Sequence, residues 1–132
     1  MIYIGSFLHA TNQEEQEEAH RRHGEFNMIV EATDQQTAIN MFKERLLELR
    51  ENSNFFEGVC SIFFVHLLEF EEFPQNKAKM LYYKSVAGDP VMPFIGCAVP
   101  SSETDGCKIY TWGGYHPEID GQTPKIFLEF KA

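Results

Sequence analysis

The chain has 132 residues, 43% of them hydrophobic and 23% charged, with a formal net charge of −9. A globule of this length buries roughly two thirds of the surface its unfolded chain exposes, so it needs no disulfide or metal staple, and its apolar content argues against wholesale disorder. Residues 1–72 hold fourteen acids against five bases while residues 73–132 are balanced, which argues against binding to nucleic-acid phosphate, since that needs a concentrated basic surface.

Residues 2–9 alternate Ile2, Ile4, Ser6 and Leu8 with Tyr3, Gly5, Phe7 and His9. This predicts a strand with apolar groups on both faces, inside a sheet or under a helix. No Lys or Arg precedes the apolar run and no small-residue cleavage site follows it, so the segment reads as a strand and not a signal peptide.

Residues 11–24, TNQEEQEEAHRRHG, predict a short charged helix. Thr11 and Glu14 form a Ser/Thr-x-x-Glu capping signature, and Gly24 stands where a helix stop favours a left-handed residue. Acids come first and bases last, which complements the helix dipole. Glu17 with Arg21 and Glu18 with Arg22 are i, i+4 pairs. Only Ala19 is available to a core, so such a helix is marginal unless docked. The same stretch supports a metal reading through Glu17, His20 and His23. Glu17 and His20 match the Glu-x-x-His spacing of di-iron carboxylate helices, although the chain has no second copy of the motif. A zinc site would have to import a ligand such as His9 or His116.

Residues 25–32 predict a half-buried strand, with Phe26, Met28, Val30 and Ala32 opposite Asn27 and Glu31. The clearest helix lies in residues 32–52. Thr33 or Asp34 caps it, with Gln36 as capping-box partner of Thr33. Ala38, Met41, Phe42, Leu46 and Leu49 form the stripe expected to pack on the sheet, Lys43, Glu44, Glu48 and Glu51 point outward, and Asn52-Ser53-Asn54 supplies the stop. Residues 59–68 are apolar on both faces, the mark of a central strand. In that reading His66 is a core histidine bonded to a neighbour, and Glu69 and Glu71 beyond it share one face.

Strands are also expected over 80–87, after which Gly88-Asp89-Pro90 makes a turn, and over 107–112 and 125–130. Residues 91–100 make a poorer strand, because Pro93 and Gly96 confine it to an edge. That edge is available for pairing with another chain, which leaves the oligomeric state open. Cys60, Cys97 and Cys107 are an odd number in a domain able to fold without disulfides. Buried thiols are the main expectation and a Cys97–Cys107 bridge across a hairpin the minor one. Cysteine usage, the missing signal pattern and the lack of a twenty-residue apolar span lead to the expectation of a cytoplasmic protein with no membrane segment.

The expected fold is a single α+β domain over 1–132. A curved, largely antiparallel sheet carries one long amphipathic helix on a face, with the short charged helix near the N-terminus and a β–helix–β crossover between parallel strands. None of the common nucleotide, hydrolase, zinc-protease or redox motifs is present. The leading expectation is therefore a non-enzymatic interaction or accessory domain, with no cofactor, whose acidic half engages a basic protein surface. The contact would use Glu14, Glu15, Glu17 and Glu18, with Glu69, Glu71 and Glu72 as a second patch. A rival expectation is a small-ligand or catalytic site in loop 110–121, where paired glycines give backbone access, Trp112 and Tyr115 give flat apolar area, and His116 and Glu118 orient a polar group or move a proton. The third is the metal reading of Glu17, His20 and His23.

Overall fold

A computed structural model describes residues 1–53, 55–93, 95–96, 107, 110 and 125–131. Its elements are strand β1 (Ile2–Thr11), strand β2 (Arg22–Glu31), helix α1 (Gln35–Asn52) and strand β3 (Cys60–Phe70). They build a small α+β arrangement in which the three strands form an antiparallel sheet of order β2-β1-β3. β2 and β3 are parallel to each other but separated by β1, so the β2–α1–β3 connection crosses over the central strand and does not join neighbours.

The strand with two apolar faces that takes the centre is β1. Ile2, Tyr3 and Phe7 are buried along it. β3 was expected at the centre and instead lies at an edge of the described sheet, with most of its residues exposed. Gly5 offers a physical reason. A Cβ on Gly5 would stand 2.7 Å from the Phe7 ring and 3.0 Å from the Phe42 ring, so the glycine makes a notch into which α1 lowers Phe42. β3 has no glycine and carries consecutive Phe63 and Phe64. Its register also slips opposite Ser6 and Phe7, where Phe64 and His66 pair with consecutive residues of β1 and Val65 is left over as a bulge.

α1 begins where the sequence leads one to expect. Asp34 is its N-cap and its carboxylate accepts the Thr37 amide at 2.7 Å, satisfying one of the orphan donors of the first turn. Gln36 does not close a capping box; its side chain donates to Asn40. At the other end the Ser53 hydroxyl donates to the Leu49 carbonyl, turning the chain out of the helix. Ala38, Phe42 and Leu49 are buried, whereas Met41 is more than a third exposed.

The core joins Tyr3 and Phe7 of β1 to Ala38 and Phe42 of α1 and to Ala32, with Phe26, Met28, Val30, Leu46 and Leu67 packed around them. Aromatic contact geometry holds it in register. Phe7 stacks on Phe26 at 5.0 Å and meets Phe42 edge-on at 5.7 Å and Phe64 at 4.9 Å. The far face of the sheet is less covered, and Leu8, Ile29, Phe63 and Leu68 are exposed there.

The predicted helix over 11–24 is not present. Thr11 ends β1 and Arg22, His23 and Gly24 open β2, leaving one turn of 3-10 helix at Glu18–His20. The two strands pair up to Thr11 opposite Arg22, so ladder hydrogen bonds take residues from both ends of the expected helix. With Ala19 as its one apolar residue, the stretch had no buried face to compete with that pairing.

The described residues fall into two compact units, the first within Met1–Lys79 and the second from Met80 onward. In the second, residues 80–87 and 125–130 were expected as strands and are not. Tyr82, Tyr83, Phe127 and Phe130 are largely exposed there. β-branched and aromatic residues favour a strand through cross-strand neighbours, and among the described residues no ladder pairs with either segment. The turn expected at 88–90 appears as a bend in which Gly88 has φ 114°. The described part of the expected edge strand 91–100 is not in strand conformation, and strand 107–112 lies almost wholly outside the described residues.

Candidate functional site

The β1–β2 connection holds the first group of candidate residues, and its backbone is fastened from within. Asn12 adopts φ 55°, its amide donates to the Val59 carbonyl at 2.7 Å, and its side-chain oxygen accepts the Val59 amide at 3.1 Å. This ties the start of the turn to the start of β3. The Gln13 side chain donates to the carbonyls of Thr11 and Arg22 at 3.3 and 2.9 Å. The Arg21 guanidinium donates to the carbonyls of Glu15 and Gln16, both at 3.1 Å.

That last pair of bonds decides the electrostatics of the turn. In a helix Arg21 would neutralise Glu17; here it binds backbone oxygens instead. Glu14, Glu15, Glu17 and Glu18 are all exposed, and among the described residues the one ion pair of the four is Glu17 with His20, at 3.6 Å. A braced turn thus presents four carboxylates, three of them without a cationic partner.

The metal candidates separate along the same turn. Glu17 and His20 are close, but His23 sits on β2 opposite Ala10. Among the described residues no group of three His, Cys, Asp or Glu side chains is placed to hold a metal ion. His9 has a structural setting. Its Nδ1 lies 3.1 Å from the Thr11 hydroxyl, and its ring packs near Phe26 and Phe56 and covers Gly24, where a Cβ would come within 2.6 Å of Nε2. Burial, with His23 and Arg22 nearby, holds the imidazole below its ordinary pKa. Gly24 therefore makes room for a ring and does not end a helix.

The second acidic group is dispersed. Glu69, near the end of β3, accepts a hydrogen bond from the Gln35 side chain at 3.2 Å. Strand β3 stops at Phe70, so the alternation that would align Glu71 with Glu69 stops there too, and Glu71 and Glu72 lie exposed beyond it. His66 is exposed opposite Ser6, not buried in a core. Tyr3 is buried beneath this end of the sheet. Its burial, with Glu69 and Asp34 nearby, raises the phenol pKa.

Of loop 110–121 only Tyr110 is described, and it is exposed; Trp112, Tyr115, His116 and Glu118 lie outside the described residues. Cys60 is a free, half-buried thiol that accepts the Thr11 hydroxyl at 3.2 Å. Cys107 is disulfide-bonded, against the expectation of buried thiols.

A groove of about 380 Å³ lies between α1 and the β3 side of the sheet, and no sequence motif marks it. Phe7 and Phe42 lie at its base, and Lys43 and Arg50 line it from the helix. Its signal was present as two periodicities, Ile39, Lys43, Leu46 and Arg50 along a helix face and Cys60, Ile62 and Phe64 along a strand face. Only the tertiary structure opposes them.

Among the described residues no helix is long and apolar enough to cross a membrane. Compared with family models, curated proteins and solved structures, the chain matches none.

Proposed function

We propose that this chain is a non-enzymatic binding module that docks its acidic β1–β2 turn on a basic protein surface. The observation that supports this reading most is the use of Arg21. Its guanidinium braces the turn through backbone carbonyls, and among the described residues Glu14, Glu15 and Glu18 form no ion pair. A turn already ordered in the free protein loses little conformational entropy on docking, and clustered carboxylates steer a basic partner by long-range attraction. Glu71 and Glu72 are exposed and available as a further contact, whereas Glu69 is engaged by Gln35.

The test is affinity capture with the whole chain, comparing the native sequence with Glu14→Lys, Glu15→Lys, Glu17→Lys and Glu18→Lys combined. The native chain should retain a basic protein that the charge-reversed chain loses, with retention falling as salt rises. A partner held equally by both, or none recovered by either, would defeat the proposal. The cytoplasmic setting is part of this reading and requires the Cys107 disulfide to be reduced there, because cytosolic reductants keep thiols free. Counting alkylated thiols in rapidly quenched cells decides it.

A further inference from the structure

The groove between α1 and β3 has the shape and charge of a small-molecule site that the acidic turn does not use. Its wall on the helix is a single stripe, Ile39, Lys43, Leu46, Leu47 and Arg50. Its wall on the sheet is the helix-facing side of β3, where Cys60, Ile62 and Phe64 follow at every second residue. Phe7 and Phe42 close the floor, and their rings meet each other edge-on while Phe64 leans on both. The far end is shaped by Phe56 and by Gly58, whose φ of 89° turns the chain into β3. About 380 Å³ lies in the range that small-molecule pockets occupy.

Two features identify the chemistry of an occupant. The apolar walls are wet: Leu47 is 64% exposed, Phe64 41% and Ile62 37%. Covering them with hydrocarbon is favourable. Among the described residues, the charged ones lining the groove, Lys43 and Arg50, are cations, in a half of the chain where acids outnumber bases fourteen to five. Among the described residues neither Lys43 nor Arg50 forms an ion pair, whereas Arg45, on another face of the same helix, is held by Glu48 at 2.8 Å. Lys43 and Arg50 are seven residues apart, so their backbones are separated by about 10 Å along the helix. An apolar trough flanked by two uncompensated cations on one rim suits a chain molecule with one anionic end.

We propose that this groove binds a single-chain aliphatic carboxylate, with the hydrocarbon laid over Phe7, Phe42 and Phe64 and the carboxylate paired with Lys43 and Arg50. The assignment does not depend on the acidic turn, which belongs to a different surface feature and has its own test.

The experiment titrates the full chain, labelled at Ile and Leu methyl groups, with dodecanoate below its micelle concentration, and in parallel with dodecan-1-ol and dodecyltrimethylammonium. Dodecanoate should shift the methyl resonances of Ile39, Leu46, Leu47 and Ile62 saturably, and more tightly than either of the others. The double variant Lys43→Gln with Arg50→Gln alters two exposed helix positions. It should weaken dodecanoate by roughly tenfold, the scale of a lost charge-assisted pair, and leave dodecan-1-ol unchanged. The separate variant Ile62→Glu places a carboxylate on the sheet wall and should reverse the preference toward dodecyltrimethylammonium. Unshifted amide spectra outside the groove show that each variant is folded. The proposal is overturned by no saturable methyl shift, the outcome expected if a peptide or another part of this chain fills the groove. It is equally overturned by shifts elsewhere, or by dodecanoate affinity that ignores both charge changes.

Discussion

Replacing Gly5 with alanine tests the notch that seats α1. A Cβ there would stand 2.7 Å from Cε2 of Phe7, 3.1 Å from its Cζ and 3.0 Å from Cε2 of Phe42. A Cβ contact under 3.0 Å forces something to move. Phe7 is poorly able to, because Phe26 stacks on it at 5.0 Å and Phe64 and Phe42 abut it at 4.9 and 5.7 Å. Overpacking of a well-filled site costs about 1–3 kcal/mol. Against that, alanine restricts the unfolded chain and returns about 0.4–1 kcal/mol where the backbone is compatible. Gly5 is not among the positive-φ glycines, so the offset applies in full. At mid-range values, about 2 kcal/mol against about 0.7, the balance is a loss of about 1.3 kcal/mol.

Urea unfolding followed by far-UV circular dichroism measures the total, and amide exchange of β1 assigns the loss to this sheet. Phe7→Leu removes the ring that makes the closest contact, so the double variant with Gly5→Ala should lose less than the sum of the two single variants, by roughly 1 kcal/mol. A Gly5→Ala protein as stable as the parent or more so, or strict additivity with Phe7→Leu, would refute the reasoning.

Asp34→Ala should lower the thermal midpoint and raise exchange in the first turn of α1, while Asp34→Asn, which keeps an accepting oxygen, should recover most of the loss. The Thr37 amide bond holds the Asp34 carboxyl below its ordinary pKa, so its stabilisation is complete above the unfolded value and fades as pH falls through the folded one. The Asp34→Ala and parent midpoints should therefore converge in strongly acidic solution, and a constant gap at every pH would contradict this. His9 is also held below its ordinary pKa, so the unfolded chain binds its proton first and stability declines as pH drops from about 6.5 through the folded value. His9→Gln should flatten the change in urea midpoint between about pH 7.5 and 5; an unchanged slope would show that this imidazole is not responsible. Asn12→Ala, at φ 55° and with loss of the bond from Val59, should cost about 1–2 kcal/mol. Asn12→Gly, which keeps the backbone freedom and loses only the side-chain bond, should cost measurably less, and equal losses in a paired denaturation series would remove backbone conformation from the explanation.

The residues that were legible in sequence are those whose signal is local. Asp34 and the Ala38, Phe42 and Leu49 spacing mark a helix start and a buried face whatever lies against them. β2 likewise shows its alternation directly, with Phe26, Met28 and Val30 turned inward and Glu25, Asn27 and Glu31 outward. The stretch Thr11 to Gly24 misled because caps, dipole order and i, i+4 pairs are also local, each worth a few tenths of a kcal/mol to about one. They cannot outweigh a ladder that runs up to Thr11 opposite Arg22. The metal spacing of Glu17, His20 and His23 depended on that helix; without it, His23 is carried onto a strand.

What the sequence by itself determined is the set of elements in the first unit with a strong periodic signal: a strand from Ile2, a strand over 25–32, a helix capped at Thr33 or Asp34 and an apolar strand over 59–68, each of which overlaps an element of the structure. It also determined the concentration of negative charge in residues 1–72. Only the tertiary structure decided which apolar strand is central, where Arg21 spends its guanidinium, and that Lys43 and Arg50 share a groove with Ile62 and Phe64. Periodicity reports that a face is apolar but not what it meets. Partner choice depends on shape across distant parts of the chain, as when the missing side chain of Gly5 admits Phe42.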